Sequence, residues 1–193
     1  MKTTLSLSLC AAALALAGCG QGNSNNAATA QPDAAQEAAG EKTIAASLDQ
    51  NSRFFQAAKA VGLDATLAGP GPYTVLVPTD EAFGKVQGAL SDPAKPENRA
   101  EITRALTYHI LPGVVLAEDI SKAIDNGGGK AVLATMGGET LTATKEGDAI
   151  VLTDSAGGKA KVTQADVKAT NGVIQHVDAV LAPPAGGGDK PAG

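Results

Sequence analysis

Few residues of this 193-residue chain could carry acid–base or nucleophilic chemistry. It has only two histidines, His109 and His176. A Ser-His-Asp arrangement could combine Ser121 or Ser155 with either of them, because such triads are recognised by geometry and not by sequence order. No spacing selects one combination, so we assign no catalytic residue.

Motifs that bind cofactors or metals are missing from the sequence. There is no Gly-x-Ser-x-Gly, no phosphate loop ending in Gly-Lys-Ser/Thr, no His-Glu-x-x-His and no dinucleotide fingerprint. Two histidines cannot build a His-rich metal centre, and no Asp-x-Asp-x-Asx-Gly calcium loop occurs. We expect no cofactor and no metal ion.

Charge and aromatic content argue against a nucleic-acid partner. Fifteen Lys and Arg against twenty Asp and Glu give a net charge of −5, so phosphates would be repelled. Aromatic residues are 3% of the chain and Trp is absent, which leaves few rings on which bases could stack.

The amino-terminal segment is typical of an export signal. Lys2 precedes a mostly apolar stretch at 5–17, which is too short to span a bilayer comfortably. The stretch leads into Leu16-Ala17-Gly18-Cys19, which resembles the bacterial lipoprotein box. That resemblance implies cleavage before Cys19 and a diacylglyceryl group on its thiol. The alternative is an ordinary signal peptide with an incidental cysteine.

Acylation of Cys19 would leave the mature protein without a free thiol, since Cys10 departs with the signal. Disulfides and thiol catalysis are then excluded. Two or three acyl chains anchor a protein stably without spanning the membrane. We therefore expect a membrane-anchored lipoprotein of the bacterial cell envelope, and Gly20 in place of Asp favours the outer membrane.

Composition divides the chain into four parts. The predicted boundaries are a signal peptide at 1–18, a lipidated flexible tether at 19–40, a folded domain at 41–184 and a disordered tail at 185–193. The tether and the tail lack large apolar residues that could pin them to a core. The domain is large enough to be stable as a monomer.

Capping residues and apolar spacing place most helices in the first half of the domain. Helical stretches are predicted to open at Thr43 and at Ser52, and Thr79 can cap a third; each precedes a segment with apolar residues on one side. A further helix is predicted to end near Tyr108, and residues 114–116 are predicted to form a short strand.

Strands dominate the second half. Thr140, Thr142 and Thr144 alternate with Leu141 and Ala143, which is typical of a half-buried antiparallel strand. Glycine-containing turns separate similar runs near 150–153, 159–163 and 173–177. Helices followed by hairpins predict an α+β fold.

Three segments together resemble the fasciclin domain family. They are Tyr73-Thr-Val-Leu-Val-Pro-Thr-Asp-Glu-Ala-Phe83, Leu106-Thr-Tyr-His-Ile-Leu-Pro-Gly113 and Asn171-Gly-Val-Ile-Gln-His-Val-Asp-Ala-Val-Leu181. Their order and spacing fit one copy over roughly 41–183. The resemblance implies a compact wedge or sandwich of mainly antiparallel strands with several short helices packed around it.

The resemblance also implies a candidate interaction region. Related animal domains use the neighbourhood of the Tyr-His pair in adhesion, so the candidates here are Tyr108, His109, Asp119 and Ile120. The alternative for His109 is a histidine at the edge of the core whose nitrogens bond to backbone. In the third segment Gln175 stands where the family often has histidine, which places the imidazole of His176 on the opposite strand face.

We therefore expect a non-enzymatic domain that binds an unknown macromolecule or matrix component, with the membrane contacted only through the lipid. One alternative is a periplasmic binder of small molecules or lipids, which needs an apolar cavity of at least about 300 Å³. A second alternative is an envelope hydrolase, which needs a serine within hydrogen-bond reach of a histidine.

Overall fold

The computed structural model of this chain describes residues 40–86, 88, 92 and 95–184. The described residues do not include the predicted signal peptide, Cys19, the tether up to residue 39 or the tail at 185–193. Within the described part, no helix is long and apolar enough to cross a membrane.

Short helices alternate with strands in the first half, and strands follow one another in the second. The helices are α1 Ile44–Ser47, α2 Arg53–Val61, α3 Asp64–Ala68, α4 Asp80–Lys85, α5 Arg99–Tyr108, preceded by a 3₁₀ turn at Pro96–Asn98, and α6 Ala117–Asn126. The strands are β1 Tyr73–Pro78, β2 Ile110–Pro112, β3 Lys130–Ala134, β4 Thr140–Glu146, β5 Ala149–Thr153, β6 Lys159–Ala169 and β7 Gly172–Val177. This is the expected α+β arrangement.

The helix starts predicted at Thr43, Ser52 and Thr79 are confirmed, and all three residues are N-caps. The hydroxyl oxygens of Thr43, Ser52 and Thr79 each accept a hydrogen bond from the backbone N–H three residues later, at 3.2 to 3.3 Å. Each bond satisfies an amide that the first helical turn leaves without a partner. These local bonds fix where α1, α2 and α4 begin.

The seven strands form one sheet in the order β2-β1-β7-β6-β5-β4-β3. Neighbours pair antiparallel except β1 and β7, which run parallel with Thr74 opposite Val173. The 11-residue strand β6 pairs with β5 at one end and with β7 along the other, and two register shifts interrupt its ladder to β7. Such irregularities bend a strand and re-aim its side chains.

Two apolar clusters hold the helices to the sheet. One joins α1, α2, α4 and α5 to β1 and β7 around Phe54, Phe83 and Ile174. The other joins α6 to β3, β4 and β5 around Ile120 and Leu141. Leu141 and Ala143 are buried while Thr140 is exposed and Thr142 and Thr144 are half-buried, as the alternation predicts.

The strand predicted at 114–116 is wrong. The strand in this part of the chain is β2, whose Leu111 lies opposite Thr74 of β1. The next segment bonds to a side chain instead, because the buried Thr74 hydroxyl accepts from Val115 N–H at 2.8 Å and donates to the Gly113 carbonyl at 2.8 Å. One hydroxyl therefore supplies the bonds that a strand partner would supply.

Candidate interaction site around Tyr108 and His109

Tyr108 is the last residue of α5, and its ring is completely buried. Its hydroxyl donates a hydrogen bond to the Thr140 carbonyl at 3.1 Å, which ties α5 to the start of β4. Burial raises the pKa of Tyr108, so the phenol remains a neutral donor at physiological pH.

His109 is also buried, and both of its ring nitrogens bond to backbone. Nδ1 lies 2.8 Å from the Ala105 carbonyl oxygen, and Nε2 lies 3.1 Å from the backbone nitrogen of Leu181. The first contact requires a proton on Nδ1 and the second requires a lone pair on Nε2, so the ring is the neutral Nδ1–H tautomer. Burial lowers its pKa to about 4, which keeps it in that form.

These bonds fasten the carboxyl-terminal segment of the domain to the sheet. One residue beyond Leu181, the Ala182 N–H donates to Oδ2 of Asp154 at 3.0 Å. Further on, the Arg104 guanidinium donates to the Pro184 carbonyl, and it lies 3.5 Å from the Glu139 carboxylate. We call residues 181–184 the C-terminal strap, and the Tyr-His segment is one of its attachment points.

The other two candidate residues lie on α6. Asp119 is exposed, and its Oδ2 accepts from the Leu116 N–H at 3.3 Å, as expected for an acidic residue in a first helical turn. Ile120 is 1% exposed and belongs to the second apolar cluster. An interaction role for this region stays a prediction.

Direct contact with a partner fits only one of the four candidates. Tyr108, His109 and Ile120 are each at most 1% exposed, so a partner could not contact their side chains. Their burial holds α5 and α6 in place. Asp119 is the exposed member of the set. The structure supports the alternative interpretation of His109, a buried histidine whose ring nitrogens bond to backbone.

The surroundings of the two histidines bear on whether either ring could act as a general base. With both nitrogens occupied, His109 has no free lone pair to act as a base. Burial also lowers the pKa of the half-buried His176, and its backbone carbonyl accepts from the Thr163 hydroxyl at 3.2 Å. No cluster of three or more metal-ligating side chains occurs among residues 40–86, 88, 92 and 95–184.

Sequence reasoning missed a bonded cluster beside α6. The buried Gln175 amide donates to the Val115 carbonyl at 3.2 Å and to Oδ1 of Asp166 at 2.7 Å, and its oxygen accepts from Asp166 N–H at 3.0 Å. The same Oδ1 accepts from Ala117 N–H at 2.9 Å. The only hint was Gln175 in the place of a histidine, and the structure shows its amide facing inward while His176 is partly exposed.

Asn171 was predicted only as a turn residue, and it does more. Its Oδ1 accepts from Ile44 N–H at 2.7 Å, and its Nδ2 donates to the carbonyls of Leu67 and Gly69 at 2.9 and 2.7 Å. One amide therefore joins α1 and α3 to the β6–β7 turn. Tyr108, His109, Asn171 and Gln175, from the second and third of the sequence segments, all make internal side-chain bonds of this kind.

Comparison with known proteins shows to which family this fold belongs. The fasciclin domain matches residues 49–183 of the chain. The chain belongs to the fasciclin domain family. The solved FAS1 domain pair from the insect cell adhesion molecule Fasciclin I superposes with a TM-score of 0.63 at 19% identity, covering 72% of this chain and 50% of that one. This likeness confirms the fasciclin fold.

Relatives of this fasciclin domain occur in bacteria and animals. Protein sll1483 of Synechocystis is 35% identical over 143 residues, which cover 73% of this chain and 72% of that protein. Transforming growth factor-beta-induced protein ig-h3 of Sus scrofa is 35% identical over 66% of this chain but only 17% of its own length. Immunogenic protein MPB70 of Mycobacterium bovis is 30% identical over 60% of this chain and 52% of its own.

Proposed function

We propose that this fasciclin domain is the binding head of a non-enzymatic, lipid-anchored protein of the bacterial cell envelope. The head would contact a macromolecule of the envelope or the surrounding matrix through its surface. The observation that carries the proposal is the engagement of both His109 ring nitrogens by backbone. The histidine of the Tyr-His pair therefore holds the fold together, which supports a function through surface contact.

Two features of the sequence support the anchored arrangement. Leu16-Ala17-Gly18-Cys19 supplies the acylation site, and the polar segment that follows supplies a spacer. A flexible linker of about 20 residues has a root-mean-square reach of about 25 Å, enough to present the head above a membrane. The mass of the mature amino terminus tests this directly: a diacylglyceryl cysteine at position 19 supports it, and an unmodified terminus contradicts it.

The adhesion part of the proposal is tested in cells. Wild-type cells, cells lacking the protein and cells with a Cys19→Ala form are compared for surface attachment and biofilm mass. We expect the deletion and the Cys19→Ala form to attach less than the wild type. Equal attachment in all three strains contradicts an adhesive role.

The surface that binds is tested at Asp119, the exposed member of the candidate region. Asp119→Asn keeps an oxygen that can accept from Leu116 N–H but removes the charge. Asp49→Asn removes an exposed charge between α1 and α2, which pack in the first apolar cluster, and keeps an oxygen that can accept from Asn51 N–H, so it serves as the control. If the α6 surface binds, capture of the partner falls for the first variant and not for the second. If the two variants capture the partner equally well, the binding surface does not include Asp119.

The cavity that the structure describes beside α6 does not favour a small-molecule binder. Its volume is about 150 Å³, and it is lined by Ala117, Ile150, Val162 and neighbouring residues of β5 and β6. Pockets that enclose drug-sized ligands hold roughly 300 Å³ or more. This cavity therefore does not supply the site that a small-molecule binder needs, and contact through the surface is the function that we propose.

A further inference from the structure

The cavity beside α6 has the size of a single side chain. Its volume is about 150 Å³, and its apolar lining comes from Ala117 at the start of α6, from Ala149 and Ile150 of β5, and from Val162 and Ala165 of β6. A space of this volume holds a molecule the size of benzene. It is therefore too small for a drug-sized ligand but has room for one long side chain of a larger molecule.

The polar residues that line the cavity offer hydrogen-bond acceptors. Asp148, in the β4–β5 turn, contributes a carboxylate, which can only accept when it is ionised. This carboxylate has no hydrogen bond or ion pair to another residue that the structure describes. The hydroxyl of Thr163, the other polar lining residue, already donates to the His176 carbonyl at 3.2 Å. An occupant that satisfies this lining must therefore be a donor.

The start of α6 does not attract an anion to the cavity. The first amides of a helix are ordinarily free to bind one. Here Oδ1 of Asp166 accepts from the Ala117 N–H at 2.9 Å, and Oδ2 of Asp119 accepts from the Leu116 N–H at 3.3 Å. These carboxylates occupy the amides beside the cavity, and their negative charge favours a cation there.

The lysines of the neighbouring strands act on other carboxylates. Lys145 on β4 donates to both carboxylate oxygens of Asp125, at 2.8 and 2.7 Å. Lys159 on β6 pairs with Glu146 at 2.9 Å. The hydrogen bond from Lys159 and the charge of Lys161 both lower the pKa of Glu146. The negative charge at the cavity is thus left for a partner to balance.

We propose that this cavity receives one lysine side chain of a protein partner. The four-carbon stem of the lysine packs against the apolar lining, and its ammonium donates to the Asp148 carboxylate. Stem and ammonium together are about as large as benzene, so the side chain fits the space. This inference rests on the proposed function, because it names the chemistry by which the surface beside α6 binds a macromolecule.

Methyl NMR of the detergent-solubilised full chain tests the occupant. The reporters are the methyl groups of Ala117, Ile150 and Val162, and Ile44 in the first apolar cluster is the reference. The probes are the N-acetyl methylamides of lysine and norleucine, which share an aliphatic stem and differ in the ammonium. We expect the lysine probe to shift the three reporters but not the reference, with saturation in the millimolar range. The norleucine probe should bind several-fold more weakly.

Three results of this titration would overturn the proposal. One is the absence of shifts at the reporters, and another is equal affinity for the lysine and norleucine probes. The third is tighter binding of the corresponding arginine derivative, whose planar head is larger than an ammonium. Binding of the lysine probe should also weaken several-fold in 1 M salt, because the Asp148 carboxylate is exposed and salt screens its charge. Binding that salt leaves unchanged contradicts a role for this charge.

Two variants test the charge and the space separately. Asp148→Asn keeps an oxygen at the cavity but removes the charge, and Ala165→Leu fills the cavity without removing a charge. We expect each to weaken binding of the lysine probe several-fold. Asp49→Asn and Ala134→Leu, at exposed positions outside the lining, are the matched controls and should bind as the parent does. An unshifted Ile44 methyl shows that each variant is folded, and a variant that binds as its control does contradicts the proposal.

Cell attachment separates this inference from the adhesive role. We expect cells with Asp148→Asn or Ala165→Leu to attach several-fold less than the wild type. If deletion of the protein lowers attachment but both variants attach like the wild type, the cavity is not the contact and the adhesive role stands. If deletion has no effect, the adhesive role fails, and the NMR titration alone decides whether the cavity binds lysine.

Discussion

Nε2 of His109 accepts a hydrogen bond from the backbone N–H of Leu181 at 3.1 Å, across 72 residues of sequence. The same ring donates from Nδ1 to Ala105, and its edge meets the ring of Phe54 with centroids 6.4 Å apart. The imidazole thus joins α2, α5 and the C-terminal strap. Only its neutral form can do so, because a protonated ring has no lone pair for Leu181.

Acid is therefore expected to destabilise the domain through His109. Its pKa is 6.5 when unperturbed and about 4 in the fold, so the unfolded chain binds more protons between these values. The free energy of unfolding should fall as the pH drops from about 6.5 to about 4 and lose nothing further from this group below that. The full loss is on the order of 3 kcal/mol, and urea unfolding across this pH range measures it.

Two variants separate this contribution from others. His109→Gln is less stable at pH 7 but should lose much of the decline between pH 6.5 and 4. Burial also lowers the pKa of His176, which is only half-buried, so His176→Gln should retain most of the decline. The carboxylate facing His109 is that of Asp154, which favours the protonated ring and so opposes the shift. An unchanged pH dependence in His109→Gln would show that another group causes it.

Local signals explain why much of the fold could be predicted. Thr43, Ser52 and Thr79 bond to amides three residues away, so a few adjacent residues decide each helix start. The alternation of Thr140, Leu141 and their successors likewise defines β4 without reference to the rest of the chain. Together with the three family segments, these signals were enough for the α+β fold.

The arrangement around the candidate site depended on distant residues. Sequence spacing placed His109 near the core, but the role of Leu181 could not be predicted from it, because the bond joins residues that are 72 positions apart in the sequence. The exposure of Asp119 and burial of its neighbour Ile120 follow from how α6 packs on β3, β4 and β5. The alternation in β3 cannot reveal that it is an edge strand, since sheet order is set by every other strand.

Removal of the Asn171 amide should cost much more than an ordinary surface change. Asn171→Ala leaves the Ile44 N–H and the Leu67 and Gly69 carbonyls without their partner. Buried groups deprived of hydrogen bonds cost roughly 1–3 kcal/mol each, partly recovered by water, so we expect a loss of about 2–4 kcal/mol. Chemical denaturation measures it. Asn126→Ala, at the exposed end of α6, is the control and should change stability by less than about 0.5 kcal/mol.

The shape of Asp166, more than its charge, should matter for stability. Its φ is +58°, which few residues other than glycine, Asn and Asp adopt readily. Oδ1 alone accepts from both Ala117 and Gln175, so Asp166→Asn can keep these bonds and the backbone conformation. We expect Asn to cost less than about 1 kcal/mol and Ala about 2–3 kcal/mol in thermal or urea unfolding. Equal losses for Asn and Ala would assign the role to the charge.

Gly172 should tolerate no side chain, because β7 approaches β1 closely at its first residue. Its φ is +149°, and a Cβ added there would overlap the carbonyl oxygen of Tyr73, which lies opposite it in the parallel pair. Backbone on both sides leaves no flexible group that could move aside, so the two strands would have to separate. Gly172→Ala should therefore lower the free energy of unfolding by about 3 kcal/mol or more. Gly84→Ala is the matched control, since a Cβ there meets nothing within 4 Å and α4 should gain up to about 1 kcal/mol. Similar stabilities for the two variants would mean that β1 and β7 are not held at this distance.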